Sequence, residues 1–190
     1  SRSTTGAGDA TATILVGGSA ATTAPAIGYG VYVETTGSGA AIVVNDGSVT
    51  EGGIGAFATG TGNVDVSGSG STFVTGAFAA VDTSAGAGTT DISLTGAITS
   101  TLGDGINAAS STGAITVGST GAISAGDTGI EAASTSGAVT VNTTSGTIGA
   151  GGDGINASSG GVVDVNNNAV ITAGGTGIAV SGTGTQTVDT

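Results

Sequence analysis

An aliphatic residue set behind a small one returns along this chain at an almost constant interval, and no other feature restricts the possible folds as strongly. The Gly-apolar step occurs at Gly30-Val31, Gly55-Ala56, Gly105-Ile106, Gly129-Ile130, Gly154-Ile155 and Gly177-Ile178, and Ala80-Val81 completes the series. From Val31 through Ala56, Val81, Ile106, Ile130, Ile155 and Ile178 the intervals are 25, 25, 25, 24, 25 and 23 residues. A fixed period of this length marks a repeat architecture, in which one unit cannot close a core and neighbouring units must stack to do so.

Two further beats keep the same register. A pair of apolar residues two apart follows each anchor, at Ile42/Val44, Val64/Val66, Ile92/Leu94, Ile115/Val117, Val139/Val141 and Val163/Val165. That spacing places both members on one face of a short, half-buried strand, with Val43, Asp65, Ser93, Thr116, Thr140 and Asp164 facing outward. A single aliphatic residue then stands seven residues, or once eight, before the next anchor, at Val49, Val74, Ile98, Ile123, Ile148 and Ile171. Gly, Asn, Asp and Ser fill the gaps with turn chemistry. No apolar spacing of 3.6 residues is present, and β-branched residues occupy the periodic positions, so helix is excluded.

Strands of one unit must therefore pair with their equivalents in the next, in parallel, about 4.8 Å apart. The predicted fold is all-β, a right-handed parallel β-helix (β-solenoid) of about seven coils of ~25 residues with three short strands each, forming a rod on the order of 35 Å long. It is one domain over residues 1–190, with an irregular entry coil at 1–29, regular repeats at 30–180 and an incomplete last coil at 181–190. Within the entry coil Ile14 and Val16 fit the second beat and Ala24 the third, and Pro25 disturbs the pattern. The stretch DTSAGAGTT, from Asp82 to Thr90, is the longest loop candidate.

Composition removes most chemistries. The mean hydropathy of +0.39 is too apolar for a chain kept open by solvation. Thirteen carboxylates stand against one basic residue, Arg2, and the net charge of −12 repels a phosphate backbone, so no nucleic-acid partner is expected. Without cysteine there is neither a disulfide framework nor a thiolate metal site. No apolar run approaches the ~18 residues that span a bilayer, so no membrane insertion by this chain is expected. The opening SRSTTGAGDA has neither an initiator Met nor a signal-peptide pattern, as expected of a processed chain or a fragment.

Cleavage of an acidic polysaccharide needs a base, and glycosidic hydrolysis needs two carboxylates close together. Arg2 is the only basic residue, and Asp65 and Asp164 share a strand position but lie four coils apart, about 19 Å, so no enzyme is expected. Asp104, Asp127 and Asp153 precede Ile106, Ile130 and Ile155 in similar turns and form a candidate calcium-ligating line, with solvated turn carboxylates as the alternative. The calcium-binding nonapeptide is absent as a repeat, and no other cofactor is implied. Thr116 and Thr140 align as a short Thr row, interrupted on either side, and Glu131 breaks an Asn ladder of Asn107 and Asn156. Tyr29, Tyr32, Phe57 and Phe78 offer either a binding patch near the first coils or packing against the entry.

Units such as GDGINASSGGVVDVNNNAVITAGGTGI, from Gly152 to Ile178, resemble the repeats of bacterial autotransporter passenger domains and haemagglutinin-type adhesins. The resemblance lies in the G-x-G-I step, the alternating second strand and the aliphatic-x-Ala-Gly turn of ITAGG and ISAGD, and it covers residues 30–180. It implies a non-enzymatic structural or adhesive β-helix, secreted to a Gram-negative cell surface beside a separate membrane barrel, with a host receptor or glycan as partner. Unpaired strand edges at uncapped ends suggest an alternative, a subunit that stacks end to end on copies of itself into a filament. A further alternative is a calcium-dependent β-helix that binds or cleaves polysaccharide.

Overall fold

The computed structural model describes residues 2–5, 8–21, 28–74 and 78–190. They form an all-β parallel solenoid of three sheets with no helix among the described residues. The chain visits the sheets in strict rotation. One turn runs Ile106–Ser110, Ile115–Ser119 and Ile123–Ala125, and Ile130–Ser134 then begins the next. Each strand pairs in parallel with its equivalents one turn earlier and later, which gives sheets of eight, eight and seven strands, close to the seven coils expected. Described parts of the entry segment, Arg2–Thr5, Ala10–Ile14 and Ser19–Ala21, join the three sheets as a coil of their own.

Inward-facing residues lie in columns along the axis. In the first sheet Val81, Ile106, Ile130, Ile155 and Ile178 stack in register, as the anchor series predicts. Ile115, Val139 and Val163 form a second-sheet column beside Val117, Val141 and Val165. Ile98, Ile123, Ile148 and Ile171 close the third side. Each fully buried aliphatic side chain contributes about 1.5–3 kcal/mol, and β-branched shapes suit a narrow core closed from three directions.

Several expected positions shift in the N-terminal coils. Ile54, not Ala56, stands between Val31 and Val81, while Ala56 joins Val33 and Thr83 in the neighbouring column. The larger Ile54 fills the space better, and a shift of two leaves both residues on the inner face. Thr72 likewise takes the position expected of Val74, and Thr90/Ile92 take that of Ile92/Leu94. Ile42/Val44 and Val43 exchange faces. Ala41 and Val43 are buried over Val64 and Val66, and Ile42 and Val44 point out, a one-residue slip that reverses the strand. At the entry, Ala10 and Ala12 occupy the second-beat columns, Val16 is 83% exposed, and Ala20 rather than Ala24 pairs with Val49. Ala24 and Pro25 lie outside the described residues. DTSAGAGTT does not bulge as a loop: Val81–Ala85 is strand, and the next strand, Thr90–Leu94, starts at its last residue.

Turns stack as closely as strands, and this is where many of the chain's 40 glycines go. At the corner after the first sheet, Gly8, Gly39, Gly62, Gly88, Gly113 and Gly137 form a column in which a Cβ on any later member would overlap the carbonyl oxygen of the glycine one coil before. Gly18, Gly47, Gly70, Gly96 and Gly121 form a second such column. The glycines of the G-x-G-I step, Gly105, Gly129 and Gly154, sit against the Cγ2 of Ile123, Ile148 and Ile171 and against the carbonyl of the next glycine, so the motif is a packing requirement. Buried serines serve the first corner: the Ser134 hydroxyl donates to the Gly113 carbonyl at 3.0 Å and accepts from the Gly137 N–H at 2.9 Å.

Candidate functional site

Turn carboxylates in this fold have a backbone task. The Asp104 carboxylate accepts the Thr128 N–H at 3.0 Å, and Asp153 accepts the Thr176 N–H at 2.7 Å, each from the following coil. Asp9 to Ala40, Asp46 to Ser69 and Asn63 to Thr89 repeat the arrangement at 2.8, 3.0 and 3.0 Å. A short side-chain oxygen thus satisfies an N–H that the corner leaves without a sheet partner. Asp127 lies over Gly152, where a Cβ would meet its Oδ1 at 2.6 Å. Burial raises the pKa of Asp104, its bond from Thr128 lowers it, and the charges of Asp127 and Asp82 raise it again. Asp104 and Asp153 share one corner position with Thr128 between them, and Asp127 stands one residue earlier, over Gly152; among the described residues no three acidic side chains come together as a metal site.

The outward face of the first sheet gathers the most varied chemistry. Residues that follow the anchors form one axial row: Tyr32, Gly55, Asp82, Asn107, Glu131 and Asn156. Tyr29 enters at a register shift just before Val31, and its ring lies across Gly55, where a Cβ would stand 3.0 Å from the ring. Phe57 projects two residues beyond Gly55 on the same face, and Phe78 is 44% exposed. Ring centroids are 5.8 Å apart for Tyr29–Tyr32, 5.7 Å for Tyr29–Phe57, 5.5 Å for Tyr32–Phe57 and 6.2 Å for Tyr29–Phe78. The four aromatics named from the sequence therefore form one cluster.

Carboxylates fix the two phenols. The Tyr29 hydroxyl donates to Asp82, and the Tyr32 hydroxyl donates to Glu34 at 2.9 Å. Asp82 also accepts from Asn107 at 3.4 Å, and Glu131 accepts from Asn156 at 2.9 Å, so the row continues as alternating acids and amides. Burial raises the Asp82 pKa, against the lowering effect of the Tyr29 bond, and burial raises that of Glu131. Tyr29 is held protonated by its burial and by Asp82. The role of Asp82 went unread in the sequence because it falls inside the stretch taken as a loop; its place directly after Val81 is the signal that finds it.

On the second sheet Asp65 pairs in register with Asp91, one coil away, followed by Thr116, Thr140 and Asp164. The sequence reading placed Ser93 in that row and so missed this carboxylate pair, while its four-coil separation of Asp65 from Asp164 holds. Partial burial, and then the charge of Asp91, raise the Asp65 pKa. The Thr row is two residues long, with Asp91 and Asp164 at its ends. No family model, curated protein sequence or solved structure matches this chain.

Proposed function

We propose that this chain is a non-enzymatic structural and adhesive rod, part of an exported, autotransporter-like bacterial surface protein. The observation that carries the reading is the unbroken parallel pairing of all three sheets from coil to coil, which turns side chains far apart in sequence into continuous outward rows. Such a rod holds a binding face at a fixed distance from its base, and its stability is the sum of coils and interfaces. Its repeats resemble passenger and haemagglutinin-type units, which supports placement outside the cell. Beads coated with the chain are expected to adhere to host or bacterial cell surfaces above the level of beads coated with a plain acidic protein. Equal retention of the two sets of beads defeats the adhesive reading.

One observation favours a second reading, assembly by end-to-end stacking. All three sheets are built by parallel pairing of equivalent strands one coil apart. A second copy stacked in the same register would extend them by the same bonds, giving an open filament. Electron microscopy at high concentration tests this, and only single short rods reject it.

A further inference from the structure

Four aromatic rings on the outward face of a rod stand out in a chain with 3% aromatic residues. None of the four rings is part of the hydrophobic core. Tyr29 and Tyr32 are both anchored through their hydroxyls, so the rings are held in place while their surfaces stay partly open. Gly55 leaves the backbone bare beneath them. From the cluster, the row of Asp82, Asn107, Glu131 and Asn156 runs on along the axis, flanked on the same face by the small residues Ser84, Ala109, Ala133 and Ser158. From Tyr32 to Asn156 the row crosses five coil steps, about 24 Å at roughly 4.8 Å per step.

We propose that this face is a binding site for a neutral, extended oligosaccharide, lying along the rod with one end on the Tyr29, Tyr32, Phe57 and Phe78 cluster. This deepens the adhesive reading and rests on it, by naming the ligand class. A pyranose presents one face of C–H bonds, which an aromatic ring attracts through dispersion and its negative π face, and a rim of hydroxyls. Carboxylate and carboxamide pairs suit that rim, since the carboxylate oxygens accept hydrogen bonds from hydroxyls and the amide both donates and accepts. The small flanking residues keep the sheet surface low beside the row, so that a chain of rings can lie along it.

Charge decides against acidic glycans: the single basic residue of the chain cannot balance a row of uronates or sulfates, and the carboxylates would repel them. Spacing decides against an ammonium ligand. Centroids 5.5 to 6.2 Å apart mean that the rings touch one another and leave no box among them for a cation.

The protein carries its own reporter. Tyr29 and Tyr32 are its only tyrosines and it has no tryptophan, so tyrosine emission comes entirely from this cluster. Titration of the whole chain with cellohexaose, xylohexaose and mannohexaose, followed by fluorescence and calorimetry, is expected to give a saturable, salt-insensitive response with at least one of them. Phe57→Ala should weaken that binding tenfold or more, and Gly55→Ala, which pushes the rings aside, severalfold. Should Phe57→Ala lose its sheet circular dichroism, Asn107→Ala takes its place with a severalfold loss expected. The proposal is overturned by silence with all three hexaoses, by binding that folded variants leave unchanged, or by a response confined to a galacturonate oligomer. A salt-sensitive response to pentalysine with none to the hexaoses overturns it in favour of a cationic peptide. Adhesion of coated beads without hexaose binding removes this inference and leaves the adhesive rod standing.

Discussion

The coils between Gly103 and Ile178 and those between Gly28 and Ser100 share one fold but solve its packing differently. In the later coils the anchor column is isoleucine at each step, Ile106, Ile130, Ile155 and Ile178, and the register never slips. In the earlier coils Thr72, Thr83 and Thr90 enter the core columns, and three strands sit two places from where strict periodicity would put them. The irregular coils are also the ones that carry the aromatic cluster and the Asp65–Asp91 pair. A solenoid tolerates slips of two residues because they keep the inner face inside, and the slack so gained is where outward chemistry collects.

Glycine columns are common to both halves and give the largest expected effect. Gly113→Ala would drive a Cβ into the Gly88 carbonyl beneath, and a cost of about 3 kcal/mol or more is expected from a clash that only backbone movement relieves. Gly118→Ala, on the outward face of the next strand with its nearest neighbour at 3.6 Å, should stay within about 0.5 kcal/mol of the parent. Urea unfolding followed by circular dichroism measures both. Similar midpoints for the two variants would remove close turn stacking as the reason for glycine at that corner.

A smaller effect, of opposite sign, sharpens the contrast between halves. Thr90 stands in a column between Val64 and Ile115, fully buried, and its hydroxyl has no hydrogen-bond partner. Thr90→Val keeps the shape and removes the buried polar atom, so a gain of about 1 kcal/mol is expected. If the same urea series shows a loss instead, the hydroxyl has a use in the folded protein beyond filling space.

The smallest expected effect is a pH dependence. Burial raises the pKa of Asp65, Asp82 and Glu131 above their ordinary values of 3.8, 3.8 and 4.5, with Asp91 adding to the effect at Asp65. A carboxyl whose folded pKa lies above its unfolded one takes up a proton on folding, so stability rises as the pH falls from neutral through the raised pKa, and the gain is complete below the ordinary values. The unfolding midpoint should therefore increase between neutrality and about pH 4.5, and Asp65→Asn should flatten part of that slope. A midpoint that falls over this interval would contradict the burial of these groups.

How much of this was legible in the sequence follows the same division. From Ile106 onward the three beats name the inner residues of each strand, because apolar and polar residues alternate there. In Ala41-Ile42-Val43-Val44 four apolar residues stand in a row, alternation carries no information, and stacking between Ala10/Ala12 and Val64/Val66 decides the face. Thr90 is equally silent, since threonine suits either side of a strand. The aromatic cluster was named from composition alone, but its link to Asp82 depends on a register that spans 53 residues. The capping of one coil by a carboxylate of the coil before leaves no local signature, so the Thr128 and Thr176 partners of Asp104 and Asp153 are legible only in the fold.

The glycine columns also bear on how such a rod changes length over evolutionary time. Because each later glycine of the two corner columns is in contact with a glycine one coil before, excision or duplication of a complete coil within them rejoins like with like and preserves the column. Loss of part of a coil instead seats a side chain on a carbonyl oxygen. Point changes at the corners meet the same clash, so the addition or removal of a whole coil is the change in length that leaves the cross-section constant. GDGINAAS, GDTGIEAAS and GDGINASS, at the same corner of successive coils, are the matching ends that such a step would join.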